Sequence, residues 1–286
     1  MKRVAAVHDL CGFGKASLNT IVPILSSMAI QVCAVPTAVL STHTGGYKDI
    51  AVRDLTEYME EHINHWKKLN LSFDCIYSGY LGSPKQAKII KEFIEYFKTK
   101  DNIVLIDPVM GDDGELYSSI TNEMVLEMKD LVSHADIVTP NVTEALMILG
   151  KEYKEKEDLL YWKEILINLA ELGPKKVVLT SVKVFGNENV STLAYDKDLN
   201  KFYKVETQHI NISFPGTGDT FASIMLSYIL KGESFDKSVS RACSFIYKLI
   251  EEGKHHVEDI REGLPLEMFL KELILDDYYL IDSKEL

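Results

Sequence analysis

Cysteine is scarce in this chain. Cys11, Cys33, Cys75 and Cys243 stand far apart, and none forms a CxxC pair or a histidine-linked zinc spacing. The sequence therefore encodes no disulfide framework and no zinc motif, and reduced thiols are the expectation. Long hydrophobic runs are missing too: no stretch approaches the roughly 18 uninterrupted apolar residues of a membrane span. Basic residues are outnumbered, with 31 Lys and Arg against 43 Asp and Glu, for a net charge of −12. That balance argues against nucleic acid as the main partner. It does not bar an anionic nucleotide, because local N–H groups and a cation outweigh a distant field. No Pro/Gly/Ser linker, low-complexity block or internal repeat divides the chain. The apolar run after Met1-Lys2-Arg3 is too short for a signal peptide. Asn-x-Ser/Thr tripeptides at Asn70, Asn141, Asn189 and Asn211 then read as chance matches. The expectation is one domain over residues 1–286, cytoplasmic, with no membrane or nucleic-acid partner.

The chain does carry enough apolar residues, 46% of 286, for one large α/β core. Short runs at 4–7, 32–39, 75–77, 103–106, 137–138 and 177–179 predict strands. Several are apolar at successive positions, as expected where both faces of a parallel sheet are covered. Between them, 3.6-residue periodicity predicts helices at 18–28, 55–69, 86–97, 124–132, 144–149 and 159–172, and later at 217–230, 238–252 and 266–274. Residues 191–195 and 202–206 predict an antiparallel hairpin. The fold class is a three-layer α/β/α arrangement: a central, mostly parallel sheet, helices on both faces, and that small hairpin.

The most informative stretch is Phe214-Pro215-Gly216-Thr217-Gly218-Asp219, which opens a predicted helix. A helix N-terminus presents unpaired N–H groups and the positive end of the macrodipole to an anion. Gly216 and Gly218 would let a ligand approach the backbone. Asp219 places a carboxylate beside that anion site, where it could take a proton from an alcohol during phosphoryl transfer. Helix capping by Asp219 and Thr217 explains these residues equally well on local grounds.

Four further junctions sit where strands are expected to end, the place ligands gather in open α/β sheets. His8-Asp9-Leu10-Cys11-Gly12-Phe13-Gly14-Lys15-Ala16-Ser17 reads as a turn between strand and helix. It fails both the GxxxxGK[ST] and the GxGxxG patterns, so it reads as a substrate wall with Asp9 as an acceptor, or as a capped turn. Ser41-Thr42-His43-Thr44-Gly45-Gly46-Tyr47 reads as a loop that orders over a small molecule. Asp107-Pro108-Val109-Met110-Gly111-Asp112-Asp113-Gly114 gathers three carboxylates, which repel unless a cation joins them. Mg²⁺ accepts one or two carboxylates together with water and phosphate. Asp107 and Asp112 are the better candidates; Asp113 reads as a surface turn. In Asn141-Val142-Thr143-Glu144 the pattern fits a capping box, and also a Glu144 that holds Mg²⁺ with Asn141 at the phosphate.

GTGD at a late helix, DPVMGD after a middle strand and NVTE between them in chain order resemble the ribokinase-like kinases. Ser41-Thr42-His43-Thr44-Gly45 and Ser78-Gly79-Tyr80-Leu81-Gly82-Ser83 resemble the pyridoxal/pyridoxamine (vitamin B6) kinase branch. The resemblance runs from about residue 4 to about residue 252. It implies ATP-dependent phosphorylation of the 5′-hydroxymethyl group of a B6 vitamer, with Mg²⁺, often K⁺, and a homodimer. It casts Asp219 as the base and the N–H groups of Gly216, Thr217 and Gly218 as the anion hole. Asp107 and Glu144 then serve the metal. Asn141, Asp112, Thr180 and Ser181 line the nucleotide site, and Asp9, His43, Thr44 and Tyr80 line the substrate site. His8-Asp9 departs from the Ser-His of better-known pyridoxal kinases and approaches the Ser-Asp of hydroxymethylpyrimidine kinases. An acid here is also what a sugar kinase would use to hold hydroxyls. A B6-binding protein without catalysis is the reading from another class.

Overall fold

The computed structural model describes residues 1–276 and 278–286. Its first half comprises β1 (Arg3–Phe13), α1 (Leu18–Ser27), β2 (Gln31–Thr42), β3 (Val52–Asp54), α2 (Thr56–Lys68), β4 (Cys75–Ser78), α3 (Pro84–Phe97) and β5 (Ile103–Ile106). A small hairpin, β6 (Gly111–Asp112) and β7 (Glu115–Leu116), precedes α4 (Asn122–Val132), β8 (Ile137–Val138) and α5 (Val142–Leu149). Then come β9 (Lys156–Glu157), α6 (Leu159–Glu171), β10 (Lys176–Val184), β11 (Val190–Asp196) and β12 (Lys201–Thr207). The chain ends with α7 (Thr217–Leu230), α8 (Phe235–Gly253), a 3₁₀ turn at Ile260–Glu262, α9 (Leu266–Leu275) and β13 (Lys284–Glu285).

The main sheet runs in the order β13-β12-β11-β10-β8-β5-β4-β1-β2-β3, with β9 beside β10. Strands β10 through β2 in that order are parallel, and antiparallel strands close both edges. The apolar runs explain why. Ala5 and Val7 enter one core with α2 to α6, while Val4 and Ala6 enter the other with α1, α7, α8 and α9. Val104 and Ile106 against Leu105, and Val177 and Leu179 against Val178, repeat that alternation. Each central strand buries side chains on both faces, which only a sheet sandwiched between helix layers can satisfy.

Two expectations need correction. Residues 8–13 do not form a turn: β1 continues through them, with Leu10 beside Val39 and Phe13 beside Thr42, after a bulge between His8 and Leu10. Glycine at position 12 suggested a loop, but here it lets strands lie close, since a Cβ would meet Ser41 O at 3.0 Å. β2 likewise runs on to Thr42, so the polar loop begins at His43. Asp113 and Gly114, at φ 49° and 83°, make the tight turn of the β6–β7 hairpin, as Asp-Gly pairs favour. The C-terminal segment packs on α7 and α8 at its described residues: Tyr228 donates to Asp276 and shares a 2.8 Å hydroxyl contact with Tyr278, and Ile281 N–H donates to Ser244 Oγ. Asp277, in the same tail, lies outside the described residues.

Candidate active site

The sheet order reverses at β1: β2 lies to one side and β4 to the other. The ends of β1, β4, β5, β8 and β10 converge there with the start of α7, the crevice such topology creates.

Gly216 N-caps α7 at φ 76°, and no side chain caps the helix. Thr217 Oγ1 turns back to donate to Phe214 O at 2.7 Å, so it is not a cap. Asp219 does not cap either. Its Oδ2 accepts the Ser17 backbone N–H at 2.8 Å. The first-turn amides of residues 216–218 thus keep the unpaired donors of a helix start. Burial, followed by the nearby charge of Asp107, pushes the Asp219 carboxyl up to about 7. A base poised there is half-ionised near neutral pH, where general-base catalysis works best.

Asp107 ends β5. Its N–H donates to Ser78 O at 2.8 Å and its Oδ1 accepts Thr139 Oγ1 at 3.0 Å. Burial pushes it up to about 7 as well. A Cβ on Gly218 would stand 3.7 Å from Asp107 Oδ2, so this second oxygen faces the start of α7. Glu144 is buried, with its pKa raised by that burial and by Asp107. The capping box is present: Asn141 Oδ1 accepts Glu144 N–H and Glu144 Oε2 accepts Asn141 N–H, both at 2.9 Å. Glu144 Oε1 also accepts Met110 N–H, and Asn141 Nδ2 donates to Gly111 O at 2.9 Å. The motif therefore ties the Asp107–Asp112 loop to α5. Asp112 lies exposed on β6. Thr180 N–H donates to Pro140 O at 3.0 Å, which brings the end of β10 beside Asn141. Ser181, exposed, follows at φ 59° where β10 breaks register.

Among the described residues no lysine or arginine pairs with Asp9, Asp107, Asp112, Glu144 or Asp219, and Asp219 meets only neutral His8 at 3.9 Å. Five acids without a balancing side-chain cation, supplying oxygen donors only, suit Mg²⁺. Among the described residues no three His, Cys, Asp or Glu side chains close around a metal. The set suits an ion that keeps water and takes phosphate oxygens; of the pair that the resemblance casts at the metal, Asp107 keeps Oδ2 toward α7, while both Glu144 oxygens accept backbone N–H groups.

On the substrate side, Tyr80 donates to Ser119 Oγ at 2.8 Å and lies close enough to Asp9 to feel its charge. Thr44 is exposed on the loop after β2. His43 has another task from the one expected. Its Nδ1 accepts Gly45 N–H at 3.1 Å, which makes Nε2 the donor to Arg261 O at 2.6 Å. Neither nitrogen remains for a ligand, and the ring also packs against Gly14. Arg261 stacks on Tyr47 at 5.1 Å and reaches Gly46 O, so the turn after α8 straps the substrate loop. Asp9 is buried, and each of its oxygens accepts one bond from the protein, from Ser17 and from Cys11. Lys15 pairs with Glu267 at 2.6 Å.

Several functional neighbours escaped sequence reasoning. Ser17 and Arg261 act across 202 and 218 residues of sequence, and no local pattern marks them. His8 is fully buried beside Asp219, and neither ring nitrogen finds a partner among the described residues. Gly79 was visible only as part of Ser78-Gly79-Tyr80; a Cβ there would sit 2.4 Å from the His8 ring.

This sheet, with an uncapped glycine-rich helix start, an adjacent partly buried acid and an oxygen-only acidic crevice, defines the ribokinase-like class. Residues 18–262 match the phosphomethylpyrimidine kinase family, and the chain belongs to it. A Bacteroides thetaiotaomicron protein crystallised with pyridoxal is 41% identical, with a TM-score of 0.94 over 100% of this chain and 99% of that one. Pyridoxal kinase from Lactobacillus plantarum is 28% identical, with a TM-score of 0.88 over 97% and 98%. Pyridoxal kinase of Dictyostelium discoideum is 28% identical over 72% of this chain and 69% of its own.

Proposed function

We propose that this protein transfers the terminal phosphoryl group of ATP to the 5′-hydroxymethyl group of a vitamin B6 vitamer. The observation that carries the reading is Asp219, a partly buried carboxylate poised near neutrality at the mouth of an uncapped helix start. Phosphoryl transfer needs in-line positioning and neutralisation of spreading charge more than covalent chemistry. Asp219 takes the hydroxyl proton, and the amides of Gly216, Thr217 and Gly218 receive the charge developing on the phosphoryl oxygens. Asp107 and Asp112 would hold Mg²⁺, which supplies the countercharge for the phosphates. Glu144 and Asn141 keep that loop in place. Thr180 and Ser181 border the nucleotide, and Tyr80 and Thr44 border the pyridine ring. The pyridoxal in the 41% identical relative favours a B6 vitamer as acceptor. The matched family favours hydroxymethylpyrimidine as the second acceptor. The engagement of Asp9 inside the protein weighs against a sugar. K⁺ beside the anion hole and a cytoplasmic location belong to the same reading.

Coupled ADP release with Mg²⁺-ATP should be strong with pyridoxal, pyridoxamine or pyridoxine and should vanish with EDTA. Turnover confined to hydroxymethylpyrimidine or ribose overturns the acceptor. ATP binding without turnover on any of them overturns the enzyme reading.

A homodimer is part of the proposal. Leu10 and Val39 are neighbours on β1 and β2, and both stay exposed at 38% and 40%, with Val22 of α1 at 37%. Such an apolar edge fits burial against a second copy. Light scattering should give twice 32.4 kDa, and Leu10→Asp should shift it to the monomer mass.

A further inference from the structure

We infer that Asp9 and Ser17 form a positioning device for the base: Asp9 holds the Ser17 hydroxyl so that the Ser17 amide stays aimed at the Asp219 carboxylate. The inference rests on the reading of Asp219 as the base.

Ser17 is the N-cap residue of α1, yet it makes no side-chain cap bond. Its backbone lies at φ 52°, ψ −132°, a region that glycine tolerates and a Cβ strains. Strain of this kind persists only where the surroundings over-determine it. They do so here. The hydroxyl that would ordinarily cap the helix donates instead to Asp9 Oδ1 at 2.5 Å. Cys11 Sγ donates to the other Asp9 oxygen at 3.3 Å. Asp9 and Ser17 are 5% and 7% exposed, so water does not compete for the contact. Asp9 itself sits at the bulge of β1, between His8 and Leu10, which both pair with β2.

The loop is held from its other end as well. Lys15 N–H donates to Glu262 O at 2.9 Å, and Lys15 O lies against Gly216. With both ends held, the Ser17 N–H meets Asp219 Oδ2 at 2.8 Å. Among the described residues Asp219 Oδ1 accepts no hydrogen bond; His8 Nδ1 lies 3.9 Å from it. One oxygen of the base is thereby tethered and the other is left for the substrate proton. Asp9, expected at the substrate, acts through Ser17 on the base.

The test compares Ser17→Ala, Ser17→Gly, Asp9→Ala and the Asp9→Ala/Ser17→Ala pair, with Asp219→Asn as control, by coupled ADP release and thermal melting. Ser17→Ala keeps the strained Cβ and loses the tether, so kcat should fall about 10- to 100-fold, the scale of an ångström's misplacement. KM for ATP should stay within about twofold. Ser17→Gly loses the same hydroxyl but accepts the backbone angles, so it should turn over about tenfold faster than Ser17→Ala and melt higher. The double variant should be no worse than either single, because both remove one device. A Ser17→Gly enzyme no better than Ser17→Ala, additive losses in the pair, or a loss that falls on KM for ATP with kcat unchanged, overturns the inference. Wild-type turnover in Ser17→Ala with an inactive Asp219→Asn overturns the inference alone. Wild-type turnover in Asp219→Asn overturns the base reading itself. Should Asp9→Ala fail to fold, the Ala–Gly contrast at Ser17 decides by itself.

Discussion

Asp219→Asn should lower turnover by about 10²- to 10⁴-fold, the usual contribution of a positioned general base, while ATP still binds. The same substitution should stabilise the unliganded protein at alkaline pH. In the folded chain the carboxyl lies at about 7, well above its ordinary value near 3.8. A group raised in this way favours the fold below its unfolded pKa, and that contribution is lost as pH rises through the folded one. Between about pH 4 and pH 7 the wild type should therefore lose melting temperature that the asparagine variant keeps. At pH 8 Asp219→Asn should melt higher than wild type, and at pH 4 the two should converge. Wild-type turnover should also fall as pH drops through this range, because the base becomes protonated. Turnover near wild type in the variant removes Asp219 from the base role. Identical melting curves at pH 8 remove the burial cost argued for it.

The second large effect lies at Gly216. A Cβ there would stand 2.1 Å from Lys15 O, and the backbone is at φ 76°, where side chains are strained. The obstacle is backbone, so no rotamer change relieves it. Gly216→Ala should push the α1 loop away from α7, displacing the anion-hole amides and the Ser17–Asp219 bond together. A loss of about 10²-fold in kcat is expected, since an ångström of misplacement costs that much, together with a lower melting temperature. Gly232→Ala is the matched control. It shares a positive φ of 92° but its Cβ would meet nothing within 4 Å. It should cost some stability and leave turnover unchanged. A Gly216→Ala enzyme that behaves like Gly232→Ala would show that the two loops need not touch.

The motif at 216–219 and the order of strands and helices could be read directly, because both rest on near neighbours in sequence. Glycines flanking a threonine before a periodic apolar run specify a helix start locally. Successive buried positions in residues 4–7 specify a central strand locally as well. The same local reasoning misplaced the end of β1. Its continuation depends on pairing with residues 36–42, a partner outside the window that made Gly12 look like a loop.

The division is clearest at the site. By itself the sequence determined a mostly parallel α/β sheet, a glycine-rich helix start, an acid in its first turn, and a family of kinases to compare with. Alternating burial, turn chemistry and helix periodicity are short-range properties and survive without coordinates. Only the tertiary structure decided which partners these side chains meet. His43 meets Arg261, Glu144 meets Met110 and Asp219 meets Ser17, because hydrogen bonds between residues 218, 34 and 202 positions apart are made by folding alone. A buried carboxylate's role depends on which donors and charges surround it, and those arrive from other strands.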